Sequence, residues 1–408
     1  MKLYIQTFVC FILGFVLISG CISVQQPFSP YKESTSTFTT TSEVTSPAFT
    51  SPATTTIPSP TFTEKTVSTT SNPDFKTKGS VDKTYYYIID GIPGYIPLNI
   101  YTGVNEYIVS FGDIYTHDDY NQIVDNEVQR EYITPMVKNI KLAAKNPDDE
   151  ARIAISLVQH IKYDANALNE IQVNKSESGK YIGRYPYTIL SQNWGGICGE
   201  KSFLLALLLK DLGYSVVLME FDDVSHMAVG IKVPSEYSYK NTGYALIEST
   251  SPEIPTSYEY SVDGYKTRMS LLTPTKIIKI SDGKSFDSVS KEFADAQIQG
   301  TIHLSAAEVI AAKDNVTFDI QKLEELKLTV DYWRSHLNFD LQGKPINDNN
   351  YLRYLMAVGE YNSYYQYTYL PNYKMLESSY KIFKEVYLPK QKSLNEKYGI
   401  TSGFNIGL

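Results

Sequence analysis

The chain has 408 residues, with 37 Lys and Arg against 45 Asp and Glu, which gives a formal net charge of -8 at pH 7. This length allows one or two domains with hydrophobic cores of their own. The acidic balance, together with the lack of a basic run long enough to follow a phosphate backbone, argues against nucleic acid as a partner.

Residues 1–21 have the layout of a secretory signal peptide. One lysine precedes an apolar run from Phe8 to Ile18, and small residues separate that run from Cys21. The last four residues, ISGC, resemble a lipobox, the cleavage site of prokaryotic lipoproteins, and this resemblance implies lipid attachment to Cys21. An uncleaved membrane anchor is the alternative, because the apolar run is nearly long enough to span a bilayer. Both interpretations place the rest of the chain outside the cytoplasmic membrane.

Residues 22–78 are dominated by Ser, Thr and Pro, as in TSPAFTSPATTTIPSPTFTEKTVSTT. The segment has no hydrophobic periodicity and cannot bury a core. It predicts an extended stalk that carries the globular part away from the membrane. The stalk is either O-glycosylated or a plain disordered linker.

A globular domain is predicted over residues 79–285. The stretch YIPLNIYTGVNEYIVSF, which begins at Tyr95, indicates short strands with a glycine turn. Two helices are predicted next, over residues 127–144 and 148–163, and the second has a broad apolar face after Pro147.

The second half of this domain contains an apolar helix that begins at Cys198 and ends at Gly213. Three strand patterns follow, SVVLMEF, HMAVGIKV and YALIEST, and strand-like sequence continues to about Ile280. A helix followed by an antiparallel sheet predicts an α+β domain. Over residues 286–408 apolar residues recur at spacings of three and four, which predicts an α-helical C-terminal region.

Cys198 is the only one of the three cysteines that lies outside the predicted signal peptide and its cleavage site. It therefore has no partner for an intramolecular disulfide. A helix N-terminus stabilises a thiolate, so the position suits a nucleophile, whereas a buried inert thiol is the alternative. The further Cys or His ligands of a closed zinc site are missing, and the sequence predicts neither a metal nor another cofactor.

A thiol nucleophile needs a base, and the base needs a group that orients it. Of the five histidines, only His226 starts a strand soon after the cysteine helix. If the loop that follows centres near Tyr237, Glu248 on the next antiparallel strand lies directly opposite His226, where side chains on one face are neighbours. The order Cys198, His226, Glu248 suits thiol catalysis.

This arrangement resembles the transglutaminase-like superfamily, whose fold is papain-like. The resemblance covers roughly residues 95–280 and rests on GGICGEKSFLLALLLKDLGYSVVLMEF, SHMAVGIKV and YALIESTSP, with LVQHIKYD and YPYTIL upstream. It implies Cys198 as nucleophile, His226 as base and Glu248 as the orienting carboxylate. The chain has Glu where the family usually has Asp, and the extra methylene changes the geometry of that contact. The combination of CGE and HMAVG looks most like exported archaeal members.

Acyl transfer also needs hydrogen-bond donors aimed at the developing oxyanion. The candidates are the Cys198 backbone N–H, the Gln192 side chain and the Trp194 indole. Gln192 lies six residues before the cysteine, a spacing that resembles papain-like proteases. Loop packing is the alternative role for both side chains. Gly195, Gly196 and Gly199 are expected to keep bulk away from the sulfur and so to leave room for a substrate backbone.

Taken together, the sequence predicts a thiol enzyme anchored by lipid to the outer side of the cell membrane. Its reaction is acyl transfer from an amide bond of a protein or peptide substrate, either to water or to an amine. A non-catalytic binding or structural lipoprotein with the same fold is the competing hypothesis, and the reactivity of Cys198 separates the two.

Overall fold

The architecture is α+β in the computed structural model, which describes residues 75–112, 120–167, 183–258, 261–262 and 267–401. The predicted fold class is confirmed at this level, because small antiparallel sheets are combined with a helical C-terminal region. Strands are β1 (Ser80–Ile89), β2 (Ile92–Tyr101), β3 (Val216–Phe221), β4 (His226–Lys232), β5 (Tyr244–Ile247), β6 (Ser261–Val262), β7 (Thr267–Arg268) and β8 (Lys276–Ser281). Helices are α1 (Thr102–Val109), α2 (Tyr120–Asp125), α3 (Glu127–Ala143), α4 (Pro147–His160), α5 (Pro186–Ser191), α6 (Cys198–Asp211), α7 (Ser290–Ser335), α8 (Asp348–Tyr364), α9 (Leu370–Ile382) and α10 (Leu388–Tyr398).

The predicted signal peptide, its Cys21 and the greater part of the predicted stalk lie outside the described residues. The expected stalk boundary at residue 78 is wrong, since Phe75 is buried in the main core within a short 3₁₀ helix, Phe75–Lys78. The folded part therefore begins before this point.

The N-terminal strands β1 and β2 form an antiparallel hairpin, with Ser80 paired to Tyr101 at its base. The segment directly after Tyr101 was expected to be a strand, and this expectation is wrong because it forms helix α1. Val104 and Ile108, four residues apart, are both fully buried on one face of that helix. Burial of this pair outweighs the strand preference of its β-branched residues.

The central sheet holds four antiparallel strands in the order β5-β4-β3-β8. Helix α6 packs between this sheet and helix α4. Its side chains are buried on every face from Gly199 to Leu209, as expected for an apolar helix surrounded by protein. The predicted start at Cys198 is confirmed, and Gly213 follows the helix end with a φ of +89°. This packing brings the start of α6 beside the start of β4.

The C-terminal region is helical, as predicted. Helix α7 has 46 residues, and helices α8, α9 and α10 return along it, joined by π-helical turns at Tyr365–Tyr369 and Phe383–Tyr387. The region is attached to the sheet domain by Arg152 of α4, which pairs with the buried Glu292 of α7. In the ranges that the structure describes, no helix combines the length and apolar character needed to cross a bilayer.

Candidate active site

Cys198 is the first residue of helix α6, and the preceding Ile197 has an extended backbone. The thiol is partly exposed. The first N–H groups of a helix have no acceptor within the helix, and together with the helix dipole they stabilise negative charge. The structure therefore places the sulfur where a thiolate is favoured.

Glycines before Cys198 let a second segment of the chain approach the cysteine loop. Gly195 has a φ of +91°, and a Cβ there would lie 1.8 Å from the Lys162 carbonyl oxygen, so only glycine fits. Gly196 donates its N–H to the same oxygen at 3.1 Å and accepts from the Asp164 N–H at 3.3 Å. The expectation that Gly195 leaves room for a substrate is thus wrong, because the chain around Lys162 fills that space.

Tyr163 lies in the segment that pairs with the cysteine loop, bridged in parallel to Gly196. In the part of the chain that the structure describes, its hydroxyl has no hydrogen-bond partner. Burial raises the pKa of the Tyr163 phenol, and the charges of Cys198 and Glu248 raise it further. The hydroxyl therefore keeps its proton and is an available donor near the thiol. In the sequence, the only signal for Tyr163 is its place in LVQHIKYD, upstream of the cysteine.

His226 begins β4, and its Nε2–H donates a hydrogen bond to Oε2 of Glu248 at 3.0 Å. The two side chains are only 9% and 3% exposed. The structure thus places these two predicted residues in direct contact. Because Nε2 is used by Glu248, Nδ1 is the ring nitrogen left for the Cys198 thiol.

The predicted register between β4 and β5 is wrong by two residues. Val229 pairs with Ile247, and continuing this pairing by one residue places Ala228, not His226, opposite Glu248. The carboxylate therefore comes from the residue just beyond the end of β5. Since the error is even, Glu248 stays on the same face as His226 and becomes its diagonal neighbour. The glutamate side chain is long enough to reach the imidazole from this diagonal position.

The charges of His226 and Glu248 stabilise each other. Burial opposes protonation of His226, but the Glu248 carboxylate and the interaction with Cys198 outweigh it and raise the pKa of the imidazole above its usual 6.5. Burial likewise opposes ionisation of Glu248, but His226 and two hydrogen bonds from Thr250 lower the pKa of the carboxyl below its usual 4.5. At neutral pH the site therefore holds an imidazolium and a carboxylate.

Glu248 is also held on the side away from the imidazole. The Thr250 backbone N–H and hydroxyl both donate to Oε1 of Glu248 at 2.6 Å. Gln159 of α4 donates to the Glu248 carbonyl at 2.9 Å. The buried ammonium of Lys201 on α6 donates to the Thr250 carbonyl at 2.7 Å. Burial lowers the pKa of Lys201 to about 7, although the Glu248 charge opposes this shift.

Arg184 organises the opposite side of the cysteine loop. Its guanidinium donates to both carboxylate oxygens of Glu200, at 2.6 and 2.8 Å, and to Asp164 at 2.9 Å. Glu200 is fully buried and accepts the Ile197 N–H at 2.9 Å, which caps the start of α6. A further Arg184 N–H donates to Oε1 of Gln192 at 3.2 Å. This bond leaves the Gln192 NH₂ as a donor, with no acceptor among the residues that the structure describes.

Trp194, the other predicted oxyanion donor, is 64% exposed on the same loop. Most of its ring therefore lies in solvent rather than packed against the loop.

Across the described ranges, no group of three or more His, Cys, Asp and Glu side chains is placed to hold a metal ion. Comparisons with protein-family models, with curated proteins and with solved structures give no match for this chain.

Replacing Glu248 by Gln is expected to change how stability depends on pH. The stability that Glu248 contributes is fully present above about pH 4.5 and is lost as pH falls further. The stability that His226 contributes is fully present below about pH 6.5 and is lost as pH rises. The free energy of unfolding of wild type should therefore exceed that of Glu248→Gln by the largest margin, about 2 kcal/mol, between these two pH values. Urea unfolding across the pH range measures the difference.

The matched control for this experiment is Glu236→Gln, since Glu236 is an exposed residue in the loop after β4. It should follow the wild-type stability curve at every pH. A constant difference between wild type and Glu248→Gln across the range would show that the buried pair carries no charge.

Proposed function

We propose that this protein is an extracytoplasmic thiol enzyme of the transglutaminase-like type, which transfers acyl groups from amide bonds through Cys198. The observation that carries the proposal is the buried His226–Glu248 hydrogen bond of 3.0 Å beside a cysteine at a helix N-terminus. A base held by a buried carboxylate next to a thiol is the arrangement that activates a cysteine nucleophile. A purely structural cysteine needs no such partner.

In the proposed reaction the Cys198 thiolate attacks the carbonyl carbon of an amide, forming a C–S bond and a tetrahedral oxyanion. His226, as imidazolium, gives its proton to the leaving amine when the C–N bond breaks, and a thioester remains. Neutral His226 then takes a proton from water or from an amine, which attacks the thioester and releases Cys198. Glu248 stays ionised throughout and stabilises the imidazolium.

The oxyanion is proposed to accept hydrogen bonds from the Cys198 backbone N–H and from side chains of the adjoining loops. Gln192 supports this role because Arg184 occupies its carbonyl oxygen and leaves its NH₂ free. Tyr163 supports it because its protonated hydroxyl has no other partner in the described ranges. Trp194, exposed on the loop before Cys198, is proposed to contact the peptide or protein substrate as well as to serve as a donor.

The location proposed for this activity is the outer side of the cell membrane. ISGC at the end of the apolar N-terminal run supports lipid attachment at Cys21, and the Ser/Thr/Pro-rich segment provides a spacer. A lipid-anchored enzyme of this kind acts on proteins or peptides outside the cell.

Cys198 is expected to react with iodoacetamide at mildly acidic pH, because the imidazolium of His226 stabilises its thiolate. His226→Ala should slow alkylation at mildly acidic pH by about tenfold, since about 1.4 kcal/mol of lost thiolate stabilisation is a factor of ten. Mass spectrometry of the Cys198 peptide measures the reaction separately from Cys10 and Cys21.

His336→Ala is the control for that experiment, since His336 lies at the end of α7, in the C-terminal region. It should leave the alkylation rate unchanged. Equal alkylation rates in wild type and His226→Ala, or alkylation only after unfolding, would show that His226 does not activate Cys198 and would favour a binding module.

Removing an oxyanion donor is expected to slow acylation without slowing alkylation, because displacement of iodide forms no oxyanion. With p-nitrophenyl acetate as the acyl donor, Gln192→Ala or Tyr163→Phe should reduce the burst rate by about 100-fold for a donor in place. Iodoacetamide alkylation of the same variants should match wild type. A parallel loss of both rates would show that the substitution disturbs the thiol itself, and unchanged acylation would remove that residue from the oxyanion site.

The mature N-terminus is expected to be a lipid-modified Cys21. Intact-mass measurement of the protein extracted from its native membrane should show residues 1–20 absent and a diacylglycerol-sized addition. Cys21→Ser should abolish both changes. Retention of Met1, or an unmodified Cys21 at the N-terminus, would contradict the lipoprotein proposal.

A further inference from the structure

Lys201 lies one turn after Cys198 on helix α6 and is completely buried. Its ammonium donates to three backbone carbonyls, those of Gln159 at 3.3 Å, Ile161 at 2.6 Å and Thr250 at 2.7 Å. A lysine ammonium has three N–H donors, so every donor has an acceptor. The side chain is thus fully hydrogen-bonded inside the fold, and because its pKa is lowered to about 7 it is a bound cation at mildly acidic pH.

Two of these carbonyls stand at the C-terminal end of helix α4, around Gln159 and Ile161. Carbonyls at this end lack partners within the helix, and the helix dipole makes them a favourable place for a cation. The third carbonyl, that of Thr250, belongs to the loop that carries the Glu248 carboxylate. Lys201 therefore ties the end of one helix and the carboxylate loop to the helix that carries the cysteine.

Thr250 links Lys201 to the site itself. Its carbonyl accepts from Lys201, while its backbone N–H and hydroxyl donate to Oε1 of Glu248. Oε2 of the same carboxylate accepts from His226. An unbroken series of hydrogen bonds thus runs from the interior of α6 to the imidazole beside Cys198.

We propose that Lys201 is a positioning residue of the active site, which holds Thr250 and thereby fixes Glu248 and the imidazole of His226 relative to Cys198. This inference rests on the proposed function, because it assigns Lys201 a part in activating the same thiol. One helix then carries both the nucleophile and, three residues later, the anchor of the carboxylate. The spacing between thiol and imidazole is set by a single rigid element.

Lys201→Met in the full chain tests this inference, because it keeps the length of the side chain and removes all three donors. Alkylation of Cys198 by iodoacetamide should slow by about tenfold at mildly acidic pH and approach the wild-type rate at high pH. Lys210→Met is the matched control, since Lys210 lies on the same helix but pairs with Asp125 away from the site. It should keep the wild-type profile.

Thr250→Val distinguishes a relay through Glu248 from a direct effect of the Lys201 charge. It leaves the Lys201 charge in place and keeps the shape of the Thr250 side chain but removes one donor to Glu248, so alkylation at mildly acidic pH should slow by about threefold. If Lys201→Met fails to fold, this variant decides alone. A wild-type profile in Thr250→Val overturns the relay, and so does a wild-type profile in folded Lys201→Met.

Failure of this inference differs from failure of the proposed function. If wild-type Cys198 reacts at mildly acidic pH and the two variants match it, only the role of Lys201 is overturned. If wild-type Cys198 does not react at mildly acidic pH, the thiol has no activated state for Lys201 to support, and both are overturned.

Discussion

The hydrogen bond between His226 and Glu248 is the interaction on which the rest of the site depends. Both side chains are almost fully removed from water, where an isolated charge is costly. Each group remains charged only because the other lies 3.0 Å away and because Thr250 supplies two further hydrogen bonds. The loop that carries Thr250 therefore helps to set the protonation state of the His226 imidazole, and the charge of the imidazole in turn keeps Glu248 ionised.

Helix α6 acts as the frame for this interaction. Its apolar residues fix it between the sheet and α4, while two ionisable residues in its first turns are buried with their partners. Glu200 binds Arg184 and caps the helix start, and Lys201 binds the carbonyls of Ile161 at the end of α4 and of Thr250 beside Glu248. The two flanks of the cysteine loop are thus held by side chains that point from the same helix in different directions. Such preorganisation is what a reactive thiol requires, because a small displacement of the base removes its effect.

The order of the site residues could be predicted because it follows from local patterns, namely a glycine loop before an apolar helix and a histidine at the start of a strand. The register of Glu248 could not, because the β4–β5 connection contains two 3₁₀ turns and a left-handed Lys240 that no periodicity shows. Glu248 nevertheless contacts His226, because a register error of two residues leaves it on the same face of the sheet. Lys201 was not identifiable, since its acceptors on Ile161 and Thr250 lie 40 and 49 positions away. Such distant contacts leave no mark on a sequence pattern.

The charged state of His226 is tested most directly by titrating its imidazole with NMR in the full chain labelled with ¹⁵N-histidine. His226→Ala identifies the signal by its loss. The imidazole is predicted to remain protonated through neutral pH and to lose its proton well above 6.5, and Glu248→Gln should lower that value. A His226 signal that titrates at or below 6.5 in the wild-type protein, unmoved by Glu248→Gln, would contradict an imidazolium held beside Cys198.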